Sequence, residues 1–372
     1  MSESPFHIDI VSKDFRWAGV LGDALELRAS PAHCAQPTAK ILVSNRSKKL
    51  GLLMEEGTRL EITLHGKHFM GGPLREATGK GPASNGTIEF TLVDDYRMLS
   101  TFTGWPVPTA NLDNQTNEYH IVTGPAETVL KTIVTANANR LGLPITCSPS
   151  LGRGTTITAT MRFHTIEERL IPAIDAAGLG VTVRRVGPGF VVDCYQPSTY
   201  PHTLTEASGV LASWEWQRAA PEATDVIVGG SGEGVGRVFK HFSATDGRQA
   251  LWNERIEVFR DASDSDDVED VYSTRAVETF TETAQKTGLK LGLSETKNFR
   301  YGDTVRVGDR VTAEIGPGLA VTDILRQADI SFTREDGLVA EPQAGEFMSA
   351  DTAVAKALKK AIRAGNNLER SR

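Results

Sequence analysis

Hydrophobic and polar residues alternate in several segments of the first hundred residues. The hydrophobic positions of these segments are Leu25, Leu27 and Ala29, then Leu60, Ile62 and Leu64, and then Ile88, Phe90 and Leu92. Clusters rich in glycine, proline and asparagine, such as GKGPASNG, lie between the segments. A period of two is typical of β-strands with one buried face. The pattern therefore predicts an antiparallel β-barrel or sandwich domain over residues 1–104.

After the linker GWPVPTANLDNQ, the hydrophobic period becomes that of an α-helix. In GPAETVLKTIVTANANRLG, the apolar face of the predicted helix carries Val129, Ile133 and Ala136. Pro125 stands near the first turn and Gly142 just past the end, where these residue types are favoured. A Thr-rich strand follows, then a second helix in which Pro172 predicts a kink or a late start, then two strands. This order predicts an inserted α+β domain over residues 118–200.

The strand pattern returns in a third region, residues 201–340. Its strands include DTVRVGDRVTAEI and GLAVTDILRQADISFT, and a helix is predicted through VYSTRAVETFTETAQKTG. The helix is expected to carry Val277, Phe280 and Ala284 on one face. We therefore predict a second β-rich domain that contains a helix, which makes the fold class α+β and mainly β.

Residues 348–372 form a separate predicted unit, a C-terminal amphipathic helix. Ser349 or Asp351 is a suitable N-cap, and Gly365 ends the segment SADTAVAKALKKAIRAG. The apolar positions of this helix are Val354, Leu358 and Ile362. Lysine and arginine residues lie opposite this narrow ridge, so it would contact either a nucleic acid or membrane, or a partner protein. The regular apolar ridge favours docking onto a partner protein.

The glycine-rich stretch VIVGGSGEGVGRVF fits none of the three glycine motifs that carry chemistry. In a dinucleotide-binding G-x-G-x-x-G motif, the last glycine would fall on Val235, Arg237 or Phe239. A P-loop needs lysine and a hydroxyl residue after its last glycine, but valine and glycine follow Gly234. A nucleophile elbow centred on Ser231 would have glutamate in place of its last glycine.

The residues that follow this stretch, RVFKHF, have the period of a strand and not of a helix. A strand, a glycine loop and a second strand make a hairpin, in which glycines supply positive φ angles or let another backbone approach. We predict that Gly230, Gly232 and Gly234, with Arg237 at the start of the outgoing strand, contribute to an interface with another chain.

The residues that could bind metals do not form a recognisable metal motif. Cys34, Cys147 and Cys194 include no C-x-x-C pair and are expected to be buried free thiols. His65 and His68 have no further ligand at a defined spacing, so we expect them at the surface. The acidic run DASDSDDVED lacks the glycine and glutamate of a calcium loop, which favours a solvated loop or a helix N-terminus. We predict neither a metal site nor a cofactor.

The composition is that of an acidic, folded protein. A chain of 372 residues with 40% hydrophobic and 23% charged residues is enough for two or three domains. The formal net charge of -7 disfavours binding to a nucleic-acid backbone outside a local basic patch. Charged residues interrupt the N-terminal segment, and no apolar run approaches the length of a membrane span. We expect a chain that is made in the cytoplasm and has no membrane-spanning segment.

Several short motifs occur in a characteristic order. They are a D-D-x-x-x-L stretch at Asp94, Asp95 and Leu99, a P-x-P linker at Pro106 and Pro108, a T-G-x-A-E-T-V helix start at Thr123–Val129, and a G-D-x-V strand at Gly308, Asp309 and Val311. Together with the glycine hairpin, this order resembles the minor tail protein family of siphophages that infect actinobacteria. The resemblance covers most of residues 20–335 and does not include the C-terminal helix.

The resemblance implies a baseplate hub protein at the tail tip of a virion, assembled in the host cytoplasm. Three copies would form a ring of antiparallel β-barrel hub domains with α+β insertions, placed between tail tube and tip, and would take part in host attachment and genome ejection. The implied partners are the distal tail protein, the tape measure protein and other tail-tip proteins, and DNA would only pass through the ring.

Such a protein is expected not to be an enzyme. Two alternative hypotheses remain, because a Ser-His-Asp set can be assembled from any chain of this length. One is a cell-wall hydrolase that uses Ser231 or a pair of carboxylates, and the other is a carbohydrate-binding module.

Overall fold

The chain divides into two compact units. A computed structural model describes residues 4–232, 234–263, 269–294, 296 and 299–345. The first unit combines residues 4–214 with Lys290–Ala344, and the second comprises Glu215–Leu289 and Gly345. The finer division into domains at 1–104, 118–200 and 201–340 stays a prediction.

Two predicted features lie outside the described residues. One is the C-terminal helix with its expected interface residues Val354, Leu358 and Ile362, and the other is most of the acidic run, residues 264–268. Among the helices that are described, none is long and apolar enough to cross a membrane.

The described elements follow the predicted order of strands, helices and strands. Up to residue 125 they are β1 (Phe6–Val11), β2 (Trp17–Val20), β3 (Ala24–Ser30), β4 (Thr38–Ser44), α1 (Leu50–Met54), β5 (Arg59–Leu64), β6 (Lys67–Lys80), β7 (Thr87–Val93) and β8 (His120–Pro125). The next are α2 (Ala126–Leu141), β9 (Ile145–Cys147), β10 (Thr156–Met161), α3 (Ile166–Ala176), β11 (Gly180–Val186), β12 (Gly189–Tyr195) and β13 (Thr199–Leu204). The last are β14 (Leu211–Ala219), β15 (Asp225–Gly229), β16 (Phe239–Ser243), α4 (Arg248–Trp252), β17 (Glu257–Asp261), α5 (Glu269–Glu282), β18 (Lys286–Leu293), β19 (Arg310–Gly316), β20 (Leu319–Thr333) and β21 (Gly337–Gly345).

The largest sheet is open, whereas the sequence predicted barrels. Its main path runs β14-β18-β21-β20-β3-β4-β7-β6-β5-β1-β2, and β19 connects β20 to β13. Strand β6 pairs with β5 along its first half and with β7 along its second half, so a single long strand joins two parts of the sheet. The ends of the path, β14 and β2, do not pair with each other in the described part of the chain. The mainly β class is confirmed, and a closed barrel is absent from these residues.

The alternating hydrophobic residues of the first segments form the core of this sheet. Leu60, Ile62 and Leu64 are buried in one cluster with Phe90 and Leu92. Complete burial of such side chains contributes about 1.5–3 kcal/mol each. The predicted strand faces are therefore confirmed at these positions.

Leu25 departs from its predicted face. In β3, Leu27 and Ala29 are buried as expected, but Leu25 is exposed. The pairing of β3 with β4 shifts between Ala24 and Glu26, which marks a β-bulge at Leu25. A bulge adds one residue to a strand and so interrupts the alternation of its two faces. The sequence pattern therefore predicted the wrong face for Leu25.

The inserted module contains the two predicted helices. Helix α2 ends at Gly142, whose left-handed backbone (φ 61°) lets its N–H bond the carbonyls of the last turn. Helix α3 begins at Ile166, where the Thr165 side chain accepts a hydrogen bond from the Glu168 N–H at 3.1 Å. Pro172 lies within α3, so the helix does not start late. The module thus keeps the predicted order of helices and strands, with β8 and β9 as two further strands that were not predicted.

A buried ionic network fixes the start of α2. The Glu127 carboxylate has no exposed surface and lies 2.7 Å from Lys131 Nζ and 2.8 Å from Arg153 Nη2. Lys131 also lies 2.8 Å from the Asp193 carboxylate on β12. Hydrogen bonds from Arg153 outweigh burial and hold the pKa of Glu127 below its ordinary value. This network joins α2 to the segment before β10 and to β12.

In the second unit, α5 packs on one face of a three-stranded sheet of order β16-β15-β17. Tyr272 and Ala276 of the helix are buried against Val226 and Val228 of β15. Val277, which was predicted to lie on the buried face, is exposed. Successive residues of an α-helix are about 100° apart around its axis. Because Ala276 faces the sheet, the next residue, Val277, faces solvent.

Candidate interface site

The glycine stretch forms the predicted hairpin between β15 and β16. The two strands are antiparallel, and Gly229 pairs with Phe239 in the last rung. The loop between them is closed by backbone hydrogen bonds from Gly230 N to Val238 O at 2.8 Å and from Val238 N to Ser231 O at 3.1 Å. The hairpin prediction is therefore confirmed by the strand pairing.

Arg237 lies in the loop and does not begin the outgoing strand, which starts at Phe239. Its guanidinium folds back and donates to the carbonyls of Gly230 at 3.0 Å and Gly229 at 3.2 Å. It also forms an ion pair with Asp261 at the end of β17. These bonds hold the Arg237 side chain over the hairpin loop, and the strand pairing begins at Phe239.

The glycines of the loop differ in their physical roles. Gly232 (φ 96°) and Gly234 (φ 55°) have the positive φ angles that were predicted, whereas Gly230 does not. A Cβ atom on Gly232 would lie 2.7 Å from the Gly236 carbonyl oxygen, within the same loop. Gly232 is therefore required by both its backbone angle and a close backbone approach.

Substitution of Gly232 by alanine is expected to destabilise the hairpin, whereas Gly236→Ala is expected to be nearly neutral. A Cβ on Gly236 meets no atom within 4 Å, and its φ is not positive. For Gly232→Ala we expect a loss of about 1–3 kcal/mol in the free energy of unfolding, because the alanine is strained. Urea unfolding of both variants measures the difference, and equal stabilities would contradict this role of Gly232.

In the described part of the chain, the sheet face opposite α5 carries two exposed aromatic side chains, and we call it the open face. It consists of Asp225, Ile227 and Gly229 on β15, Phe239, His241 and Ser243 on β16, and Glu257, Phe259 and Asp261 on β17. Phe239 and Phe259 are 54% and 55% exposed. Their rings lie 6.4 Å apart on either side of Gly229, and the Arg237 guanidinium lies 5.7 Å and 5.5 Å from the two centroids. A Cβ on Gly229 would lie 2.7 Å from Phe259 Cζ, so the glycine leaves room for this ring over the strand.

The other end of the open face is polar and centred on a buried carboxylate. Asp225 lies 3.1 Å from His241 Nε2 and 3.3 Å from Arg255 Nε. Burial acts to raise the pKa of Asp225, but hydrogen bonds from Thr224 and Ser243 and the nearby cations lower it below its ordinary value. Asp225 is therefore ionised at neutral pH and anchors this end of the sheet.

Two exposed aromatic rings with an arginine between them are typical of protein-binding surfaces, where aromatic residues and arginine are enriched. The sequence predicted the hairpin but not the exposure of Phe239 and Phe259. The strand period did place both phenylalanines on the face opposite the residues that contact α5. The sequence could not show which of the two alternating sets is covered.

The surface histidines agree with their predicted position. His65 and His68 are both exposed, and neither belongs to a cluster of metal-binding side chains in the described part of the chain. One such cluster exists elsewhere and was not predicted: the donor atoms of His33, Cys34 and Asp175 lie within 4.8 Å of one another. Cys194 is a buried free thiol as expected, while Cys34 and Cys147 are free and half-buried.

Three tail proteins of known structure share this fold at low sequence identity. The 43 kDa tail protein of prophage MuSo2 from Shewanella oneidensis superposes with a TM-score of 0.58 at 8% identity, covering 91% of this chain and 98% of that one. A tail protein from Neisseria meningitidis MC58 gives 0.54 at 11% identity, covering 92% and 96%. Prophage tail protein gp18 from Listeria monocytogenes EGD-e gives 0.50 at 10% identity, covering 96% and 99%. At these identities the likeness is one of fold.

Sequence comparison identifies the family. No curated protein matches the chain significantly. The sequence model of the siphovirus ReqiPepy6 Gp37-like protein family matches residues 7–346, which is nearly the whole described chain. The resemblance to a siphophage protein family is thereby confirmed, while an actinobacterial host stays a prediction. The chain belongs to the siphovirus ReqiPepy6 Gp37-like protein family.

Proposed function

We propose that this chain is a structural protein of a phage tail, located in the virion at the tail tip. The observation that carries the proposal is the match of a siphovirus family along residues 7–346. The fold shared with two prophage tail proteins and a further tail protein supports it, since each is covered almost over its full length. The chain acts by assembling with neighbours and not by catalysis.

Within the tail, three copies form a ring that serves as the baseplate hub between tail tube and tip. Both ends of the large sheet support such assembly, because edge strands present unpaired backbone groups to a neighbouring chain. A ring built from one repeated contact needs two different surfaces on each copy. The open ends β2 and β14 meet that requirement.

The open face and its hairpin provide a further contact, with Arg237, Phe239 and Phe259 at its centre. The neighbours we propose are the distal tail protein, the tape measure protein and other tail-tip proteins. The C-terminal segment, with Val354, Leu358 and Ile362, docks onto one of them. In this position the ring takes part in host attachment and in genome ejection, during which DNA passes through it.

Replacing Phe239 and Phe259 together by serine is expected to reduce incorporation of the chain into tail particles at least about 30-fold, the effect of losing about 2 kcal/mol at an interface hot spot. The free chain is expected to keep its stability, because both rings are already half exposed. Quantifying the chain in purified particles, after complementation of a phage that lacks it, measures the effect.

The matched control is Val277→Ser, because Val277 is 57% exposed in the same unit but lies on α5. Normal incorporation of this control, with loss in the double variant, supports the open face as an interface. Normal incorporation of the double variant would refute it. Absence of the unaltered chain from the particles would refute the proposed function itself.

A further inference from the structure

His33, Cys34 and Asp175 meet in the first unit from distant parts of the sequence. His33 and Cys34 lie in the loop between β3 and β4, and Asp175 lies in the last turn of α3. One donor atom of each lies within 4.8 Å of the other two. Tetrahedral zinc, with bonds of about 2.0–2.3 Å, separates its donor atoms by about 3.3–3.8 Å. The 3.3 Å between His33 Nε2 and Asp175 Oδ1 already lies in that range.

The orientation of the His33 ring is fixed in the way that is typical of metal-binding histidines. Its side chain has no exposed surface, and its Nδ1 lies 2.7 Å from the Tyr195 hydroxyl. Its Nε2 lies 3.3 Å from Asp175 Oδ1 but makes no hydrogen bond of acceptable geometry. Metal-binding histidines are oriented through the ring nitrogen that does not bind the metal. Tyr195 orients His33 in this way, and the second nitrogen is left facing the other two donors.

Neighbouring groups also orient the Asp175 carboxylate and the Cys34 thiol. Arg326 Nη1 bonds Asp175 Oδ2 at 2.7 Å, which leaves Oδ1 directed toward His33. Cys34 has a left-handed backbone (φ 53°), which is uncommon for a residue other than glycine. Neighbouring side chains of an extended chain point to opposite sides, and this conformation lets His33 and Cys34 face the same carboxylate. The Cys34 thiol donates a weak hydrogen bond to the Leu179 carbonyl at 3.5 Å.

We propose that His33 Nε2, Cys34 Sγ and Asp175 Oδ1 bind a Zn²⁺ ion. Imidazole, thiolate and carboxylate are the three side-chain ligands of zinc, whereas calcium and magnesium take oxygen ligands. A thiolate and a carboxylate supply two negative charges to the ion, and the carboxylate is shared with the Arg326 guanidinium. Asp175 is partly exposed, so water can complete the fourth position. The bound ion ties the β3–β4 loop to helix α3, and this function is independent of the proposed role in the tail.

The test uses the full chain loaded with zinc or with Co²⁺, whose spectrum reports its ligands. We expect one metal ion per chain, thiolate-to-cobalt charge-transfer absorption in the near ultraviolet, and tetrahedral bands in the visible. Zinc binds the thiolate form of cysteine, so zinc binding at pH 7 is expected to release about one proton. Calorimetry in buffers of different ionisation enthalpy measures that proton.

Three variants locate the site. Cys34→Ser should abolish the charge-transfer absorption, and Cys147→Ser, the matched control, should leave it unchanged, because Cys147 lies outside the cluster. Tyr195→Phe keeps all three ligands and removes only the hydroxyl that orients His33. It should weaken zinc affinity about 10–100-fold, as loss of such a partner does. It also serves as the test if Cys34→Ser fails to fold.

Two results would overturn the proposal. One is a folded wild-type chain that retains no zinc or cobalt at micromolar metal, which would leave the cluster as a hydrogen-bonded network only. The other is equal binding by the wild type, Cys34→Ser and Tyr195→Phe, which would place the metal elsewhere.

Discussion

Replacing Glu127 by alanine is expected to lower the free energy of unfolding by about 3–5 kcal/mol, the cost of removing one partner from a buried ion pair. Its carboxylate also accepts backbone hydrogen bonds from Leu151 at 3.1 Å and Arg153 at 3.0 Å. Without it, Lys131, whose side chain is nearly buried, loses a 2.7 Å partner. Urea unfolding followed by far-ultraviolet circular dichroism measures the loss.

The matched control is Glu89→Ala, which removes the 2.9 Å ion pair between the solvent-accessible side chains of Glu89 and Lys40. Exposed pairs of this kind contribute about 0–1 kcal/mol, so this variant should unfold close to the wild type. A similar loss in both variants would show that the network around Glu127 has no special stabilising role. The T-G-x-A-E-T-V motif would then need another explanation for its glutamate.

The stability of the chain is expected to fall as the pH rises from 5 to 8, and Asp94 is expected to be a main cause. This carboxyl is buried and accepts hydrogen bonds from the N–H groups of Tyr96 at 2.9 Å and Gly71 at 3.0 Å. Burial outweighs those bonds and raises the pKa of Asp94 from 3.8 to about 7. Burial likewise raises the pKa of Asp95 to about 6, despite its ion pair with Arg59.

The direction of this pH dependence follows from the number of protons bound by the folded and unfolded chains. Between pH 4 and 7 the folded chain keeps the Asp94 proton and the unfolded chain loses it, so folding is favoured by low pH. The contribution is complete below the ordinary pKa of 3.8 and is lost as the pH rises to about 7. The shift corresponds to about 4 kcal/mol.

Asp94→Asn, which cannot ionise, is expected to flatten the fall in stability between pH 5 and 8. Asp303→Asn serves as the control, since Asp303 pairs with Lys67 at the surface and its pKa is lowered, not raised. Urea unfolding at four pH values compares the slopes. An Asp94→Asn slope equal to that of the wild type would contradict the buried neutral carboxyl.

Hydrophobic periodicity predicted strands such as β5 and β7 and both helices of the inserted module, because burial of one face dominates their energetics. Leu60, Ile62 and Leu64 are buried for that reason. The pattern was wrong at Leu25, where a bulge interrupts the register, and at Val277, where the neighbouring alanine makes the contact. Both errors depend on how elements pair, which periodicity within one segment does not encode.

The candidate sites were likewise predictable only in part from the sequence. The glycine hairpin was predictable, since local sequence rules exclude the nucleotide motifs and the strand period follows directly. The exposed pair Phe239 and Phe259 was not, because exposure of one sheet face depends on which face α5 covers. The cluster of His33, Cys34 and Asp175 has no spacing signal, because the tertiary fold alone brings Asp175 to the β3–β4 loop.

The most direct test of the proposed role is a cryo-electron microscopy map of the tail tip of phage particles that carry this chain. We expect three copies of the fold in a ring between tube and tip, with a central channel and with the open face of each copy against a neighbouring protein. Density for this chain in another part of the particle, or a tail tip that lacks it, would contradict the account.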